Sequence, residues 1–379
     1  MRSASNIRVA IFVFVPFCLS ASCVWAAAPA PSQQNAKREA EVKEFLVEPS
    51  HEEIVAKAKK EGKVRIISSL EPRVFSPMIA SFKKKYPFIE AEMTEITGTE
   101  AAQRFLLDVK GGGNPDIDLI HVSSDFYEEW RPFGKKFDIL RMAQNGVLSV
   151  PPKMVDPQNR NIVGLGHVLF VAAYNRNLIT ADKVPSTWAE FLKPELKERK
   201  FVVDIRPQLY AVFASCPDQG LGEEWMASYA DKIRAQNPVW LRGHMLALTS
   251  MIAGEYALHS GAYYSNYLRA QEKDPQKVLE YKVIEPAPVS IMEPEMVLGS
   301  ARHPYAALLF LEHEASPEGQ AVIDKYEPSK ASIHSPGSAV AKAIEGKKVC
   351  LMSYESYLQT SKRMETALKA FGFPRSEKK

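Results

Sequence analysis

Hydrophobic and polar residues recur along this chain with two different periods, and the switches between them lay out its elements. Ser50-His51-Glu52-Glu53 has the form of a capping box, and Ile54, Val55 and Ala58 follow at helical spacing until Gly62 stops them. Residues 64–67 form a short apolar run of the buried-strand type, ending at Ser68-Ser69. Phe75, Met78, Ile79 and Phe82 then predict a helix that closes at Tyr86-Pro87. A second strand over 89–96 passes through Thr97-Gly98-Thr99 into a helix carrying Ala102, Phe105, Leu106 and Val109, which Gly111-Gly112-Gly113 stops. A third strand, over 117–122, ends at Ser123-Ser124. Strands that alternate with helices in this way predict a parallel sheet covered by helices.

The second half repeats the theme. Residues 162–175 are apolar and contain glycine, and they read as the passage from one lobe into another. Pro185-Ser186-Thr187-Trp188 caps a short helix, and a strand over 201–205 brings the chain to Arg206. Helices over 208–215 and 222–235, a strand over 239–241 reaching Arg242-Gly243, and a helix over 246–252 follow. From Gly254 the pattern gives a short strand, a polar turn at Ser260-Gly261, and paired tyrosines, Tyr263 and Tyr264, opening a helix. Strands over 282–284 and 296–298, joined through the proline-rich 285–288, make a second crossing between lobes. Helices over 303–314 and 317–326, an apolar patch at 349–352 and a last helix through Met364 and Phe371 complete the chain. This reading gives lobe 1 residues 43–165 and 287–330, gives lobe 2 residues 166–286, and leaves the tail, 331–379, assigned to neither.

Several of these strands end in hydroxyl residues, glycine or arginine. Helix N-termini beyond strand ends favour anions and polar ligands, although serine and threonine also cap helices whatever the function. The candidate binding set is therefore Ser68, Ser69, Gly98, Thr99, Ser123 and Ser124 from lobe 1, with Arg206, Arg242, Tyr263 and Tyr264 from lobe 2. An arginine fork matches a carboxylate in two-point fashion, and a phenol offers a flat ring with a hydroxyl. His244 and His259 fall near the same region, but a lone histidine is more often a satisfied structural residue. His51-Glu52-Glu53 and His313-Glu314 lack the second histidine of a zinc-protease helix, and no nucleophile elbow or phosphate loop occurs. These patterns do not point to an enzyme.

Composition narrows the picture further. With 46% hydrophobic and 25% charged residues the 379-residue chain can build large cores, and a net charge of +3 gives no nucleic-acid footprint. Residues 1–28 have the basic start, apolar run and small-residue cleavage region of a secretory signal, and 29–42 form a leader. Cys216 and Cys350 remain beyond the signal; an oxidising compartment would allow them to pair, and the sequence leaves open whether they do.

Taken in order, the segments resemble extracellular solute-binding proteins of ABC importers with the type II periplasmic fold, in the ferric-iron-binding-like branch. The matching pieces include Glu61-Gly62-Lys63-Val64, Phe82-Lys83-Lys84-Lys85-Tyr86-Pro87, Thr97-Gly98-Thr99, Asn114-Pro115-Asp116-Ile117-Asp118, Val184-Pro185-Ser186-Thr187-Trp188 and Ser316-Pro317-Glu318-Gly319-Gln320. The resemblance implies an α/β, two-lobed fold, each lobe a mostly parallel sheet flanked by helices, with a ligand cleft between. It implies a periplasmic monomer that takes no cofactor, holds a small anionic or polar organic solute and docks on an inner-membrane permease. In that branch adjacent tyrosines placed like Tyr263 and Tyr264 ligate ferric iron, with a histidine or acidic ligand from the other lobe. Here the lobe-1 strand ends read Ser68-Ser69 and Ser123-Ser124, and hydroxyls are poor donors to ferric iron. Iron with a synergistic anion is thus the alternative cargo, and an enzyme or sensor partner on the same fold is a further one.

Overall fold

Ser50 accepts a hydrogen bond from the Glu53 amide and so caps helix α1 (His51–Glu61), which Gly62 ends in the left-handed region. The protein is seen here as a computed structural model that describes residues 44–378 apart from Asn114. The signal and leader read in the sequence lie outside the described residues. After α1 come β1 (Lys63–Ser68), α2 (Pro72–Lys85), β2 (Glu90–Glu95), α3 (Thr99–Lys110) and β3 (Leu119–His121). β1 pairs in parallel with both β2 and β3, as the alternating pattern predicts.

The chain crosses over in β4 (Ile162–Asn175), a strand buried along its whole length. There follow β5 (Val202–Asp204), α4 (Gln208–Ala214), α5 (Glu223–Ala235), β6 (Val239–Leu241) and α6 (His244–Ile252). Next come β7 (Leu258–Tyr263), α7 (Tyr264–Glu272), β8 (Leu279–Lys282) and β9 (Ala287–Val297). Helices α8 (Pro304–Ala315) and α9 (Pro317–Tyr326), strand β10 (Val349–Leu351) and helix α10 (Thr360–Phe371) close the sequence.

Strand order is β2-β1-β3-β9-β4-β7-β5-β6, with β8 beside β4 and β10 beside β9. The outer trios of the sheet are parallel at β1–β2, β1–β3, β5–β6 and β5–β7, whereas β4 and β9 run antiparallel to each other and to β7 and β3 respectively. The sheet is therefore mixed: two parallel cores joined through an antiparallel pair. The second crossing is β9 itself, a continuous strand, where the sequence pattern gave two short strands around a proline-rich join. Ser260-Gly261 is no turn either; both residues lie inside β7. A Cβ on Gly261 would come within 2.5 Å of Leu209 Cδ2, so the glycine lets α4 settle against the strand.

One apolar cluster joins Ile54, Val64, Met78 and Phe82 with the residues of α8, and another runs from Trp130 through Phe170 to Phe213 and Phe371. Burying each such large side chain contributes about 1.5–3 kcal/mol. Helix α8 is buried over 306–315, including Glu312, His313 and Glu314. Glu314 lies against Glu295 of β9, whose other neighbour is the Ser68 hydroxyl at 3.3 Å. Burial pushes the Glu295 carboxyl up to about 8 and the Glu314 carboxyl well above its ordinary range, because two charges cannot share a dry site.

The tail is fastened to the second parallel core. Cys350 of β10 is bonded to Cys216, just past α4, and β10 pairs with β9 at Ala287, Pro288 and Val289. Helix α10 packs on α4 and α5, where Phe371 meets Tyr210 with ring centroids 4.6 Å apart. Tyr354 accepts from the Gly164 amide at 2.7 Å and donates to the Met154 carbonyl, fixing the tail to β4.

Two outcomes follow from this packing. A buried acid with a raised folded pKa stabilises fully below its unfolded value and loses that stability as pH rises through the folded one. Stability should thus decline between about pH 4.5 and 8 through the Glu295–Glu314 pair, and Glu314→Gln should flatten the slope of unfolding free energy against pH, measured in denaturant titrations, by up to ~1.4 kcal/mol per unit. Separately, Cys350→Ser should cost about 2–4 kcal/mol in denaturant unfolding, and reductant should lower wild type to the same level.

Candidate functional site

Between the two parallel cores lies a cavity of about 180 Å³. The β1–β3 side lends it Ser69, His121 and Ser123; the β5–β7 side lends Gln208 and Tyr263; the crossing strands lend Val168 and Phe170 of β4 and residues 290–293 of β9; and the tail lends Met352, Tyr357 and Thr360. These positions follow from the topology. β1 and β3 end side by side at Ser68 and His121, while β7 ends at Tyr263 across the β4–β9 pair. The lining mixes hydroxyls and an amide with apolar Val168, Phe170, Ile291, Met292 and Met352.

Glu293 is the most constrained residue there. It is buried, and its backbone adopts φ 51°, a left-handed conformation rare for a residue with a side chain. Ser69 donates to its Oε2, His121 Nδ1 lies 3.4 Å from the same oxygen, and Lys330 Nζ lies 3.4 Å from Oε1. Burial alone would raise this carboxyl, but the charge of Lys330 and the hydrogen bonds from Ser69 and Lys330 outweigh it and hold it below the ordinary range. Burial lowers His121 more than Glu293 raises it, so its imidazole is neutral.

On the lobe-2 side Tyr263 packs edge-on to Phe170, with centroids 5.0 Å apart, and lies 4.3 Å from the His244 ring. Burial raises the phenol to about 12 against the opposing pull of Arg206. Behind it, Asp204 grips Arg206 with two hydrogen bonds, 3.0 and 2.7 Å, and accepts from the Gly243 amide at 3.0 Å. His244 Nδ1 lies 3.5 Å from Asp204 and 3.2 Å from His259 Nε2. Burial depresses these histidines to about 3 and about 4, so both are neutral at pH 7.

Of the residues read from the sequence, the structure brings Ser69, Ser123 and Tyr263 to this cavity. It places Ser68, Gly98, Thr99, Arg206, Arg242 and Tyr264 elsewhere. Ser68 is turned into the core toward Glu295. Gly98 caps α3 with φ 81°, and Thr99 Oγ1 donates to Asp125 at 3.0 Å on the exposed side. Ser124 begins a short 3-10 turn after β3. Arg206 borders a separate small pocket and is engaged by Asp204, and Arg242 is exposed with its amide donating to Ser376 Oγ. Tyr264 opens α7 on the other face of β4, stacked on Tyr267 and donating to the Tyr281 hydroxyl at 3.4 Å. Adjacent residues at a strand end project to opposite sides, so the two phenols part company.

The sequence reading passed over His121 and Glu293. The sequence pattern ends the third strand at Val122, which marks the serines that follow it and leaves His121 unremarked inside the strand. Glu293 and Glu295 are the two acids of an otherwise mostly apolar strand, and that contrast was the available signal.

A histidine depressed in the fold contributes stability that is present above its ordinary value of about 6.5 and lost as pH falls through the folded one. The His244–His259 pair should therefore destabilise the protein between about pH 6.5 and 4, and His244→Gln should flatten that acid limb in thermal scans.

The comparisons with known proteins agree with the fold. The Trichodesmium protein IdiA (FutA), solved in complex with iron and citrate, superposes with a TM-score of 0.63 at 16% identity, covering 83% of this chain and 100% of that one. A Bordetella ferric binding protein gives 0.64 at 14%, covering 83% and 100%. The apo ferric ion-binding protein A of Pasteurella haemolytica gives 0.62 at 15%, covering 84% and 100%. At such identities the likeness is one of fold, the two-lobed α/β architecture of periplasmic binding proteins. No curated protein sequence matches the chain. The family of bacterial extracellular solute-binding proteins matches residues 118–350, more than half of the chain, and this protein belongs to that family.

Proposed function

We propose that the protein captures a small polar organic solute between its lobes in the periplasm and hands it to an ABC permease of the inner membrane. The observation that carries this reading is the single cavity shared by Ser69 and Ser123 of lobe 1 and Gln208 and Tyr263 of lobe 2. Hydroxyls and an amide fix orientation while Phe170, Ile291 and Met352 cover apolar parts of the guest. Among the described residues no lysine or arginine lines the cavity, and Arg206 is already neutralised by Asp204. That arrangement favours an uncharged polar guest over the anion that Arg206 and Arg242 suggested. A guest touching both lobes binds the closed form better than the open one and so shifts the population toward closure.

A second reading has a specific observation behind it. His121, Glu293 and Tyr263 border the same cavity, and a neutral imidazole, an ionised carboxylate and a phenol are donors suited to ferric iron. Several structural neighbours are ferric-iron binders by name. Against it, Tyr264 faces away and the Tyr263 phenol is held protonated by burial.

A thermal-shift screen of polyols, neutral amino acids, carboxylates and ferric citrate separates the two. A true guest at a hundredfold excess over Kd adds about 2.7 kcal/mol and raises the midpoint by several degrees. Tyr263→Ala and Gln208→Ala should each weaken a neutral guest at least tenfold in calorimetry, about 1.4 kcal/mol, and Arg242→Ala should leave it unchanged. A ferric absorption band that Tyr263→Phe abolishes, with no response to organic compounds, would overturn the first reading in favour of the second.

A further inference from the structure

Two segments carry the site: the end of β1, with Ser69, and the junction of β7 and α7, with Tyr263. Each is followed within a few residues by a charged side chain, Glu71 in the first case and Arg269 in the second. Those two meet. Arg269 Nη2 forms an ion pair with Glu71 Oε1 and lies 3.9 Å from Glu327 Oε1. α7 packs on α6, β4, β7 and β8, and α2, which starts just after Glu71, packs on α9, which ends just before Glu327. The pair therefore spans from lobe 2 to lobe 1.

The anchor on lobe 1 is built, not incidental. Glu327 is buried and its Oε2 accepts the Glu71 amide at 2.9 Å, fixing the two acids side by side. Arg73 Nε holds the remaining Glu71 oxygen at 2.8 Å. Lys330 Nζ lies 2.5 Å from Glu327 Oε1 and 3.4 Å from Glu293 Oε1, and Glu293 in turn accepts from Ser69 at the cavity wall. Three acids and three bases thus form one chain of contacts that runs from the inter-lobe pair to the solute cavity.

We infer that Arg269 is a latch residue: its bridge to Glu71 and Glu327 holds the lobes together, and Lys330 and Glu293 connect that bridge to the solute cavity. Opening the lobes moves Arg269 off an anchor whose buried acid, Glu327, keeps only Lys330 as counter-charge. The latch biases the empty protein toward closure, and a guest that touches Ser69 or Glu293 acts on the same contacts. The inference rests on the reading of the two lobes as a clamp, and it is independent of what the clamp holds.

The test is small-angle X-ray scattering of the solute-stripped full protein, wild type against Arg269→Ala and Glu71→Gln. No solute enters this measurement, so a failed ligand screen leaves its outcome intact. The wild type should scatter as the closed form, with a radius of gyration near the value of about 20 Å for a compact chain of this size. Both variants should show a larger radius and longer maximum dimension, with circular dichroism unchanged. Glu71→Gln keeps the shape of a half-buried side chain, so it carries the test if Arg269→Ala fails to fold. An open wild type, or a folded Glu71→Gln with the wild-type radius, would overturn the latch.

Discussion

The antiparallel pairing of β4 with β9 is the constraint on which the rest depends. Seven registered partners, from Ile162–Met296 to Leu169–Val289, zip these two strands together at the centre of the molecule. Each strand serves both lobes: β4 pairs with β7 and β8 beyond Leu169, and β9 pairs with β3 at its far end. Every lobe-1 residue of the cavity is positioned from one side of this pair and every lobe-2 residue from the other. The floor between them is made of the strands themselves, Val168, Phe170 and residues 290–293. A buried central ribbon registered on both sides of Glu293 cannot shift by one residue without flipping its side chains to the other face, so the pairing fixes which residues form the cavity floor.

Charge around the cavity is arranged in closed accounts. Asp204 is matched to Arg206, and Glu293 to Lys330. A buried charge with no partner is costly, and removing one member leaves the other stranded. Pairing these groups in advance makes the cavity polar through neutral hydroxyls and an amide. It also explains why arginines that end strands in the sequence need not reach a ligand. Arg206 does end β5, as its pattern suggests, but the acid two residues earlier in the same chain claims it first.

The alternation of strands and helices was legible because period and punctuation are local. Gly62 stops a helix, Pro87 closes another, and the three strands of the first parallel core pair as their order implies. Two features escaped for physical reasons. Ser260-Gly261 has turn composition, yet the glycine is there to admit Leu209, a contact with a helix fifty residues earlier in the chain. The long strand β9 is punctuated by Pro288 and Pro294, and tertiary pairing with β3, β4 and β10 overrides that signal. At the site, Ser69, Ser123 and Tyr263 could be read because they stand at the ends of elements. His121, Glu293 and the tail residues Met352 and Thr360 could not, because their presence depends on which strands neighbour one another and where a tail lands. Orientation was equally hidden: nothing in a Tyr-Tyr pair says that one ring faces the cleft and its neighbour the far side of β4.

The disulfide between Cys216 and Cys350 has a topographical consequence. Met352, Tyr357 and Thr360 follow Cys350 by only a few residues, so the covalent bond pins the start of the segment that walls the cavity. In a reducing cytosol the two thiols would stay free, leaving that wall held by β10 pairing and helix packing alone. Oxidation of the pair adds a covalent tether to that wall, so an oxidising setting completes the shape of the cavity.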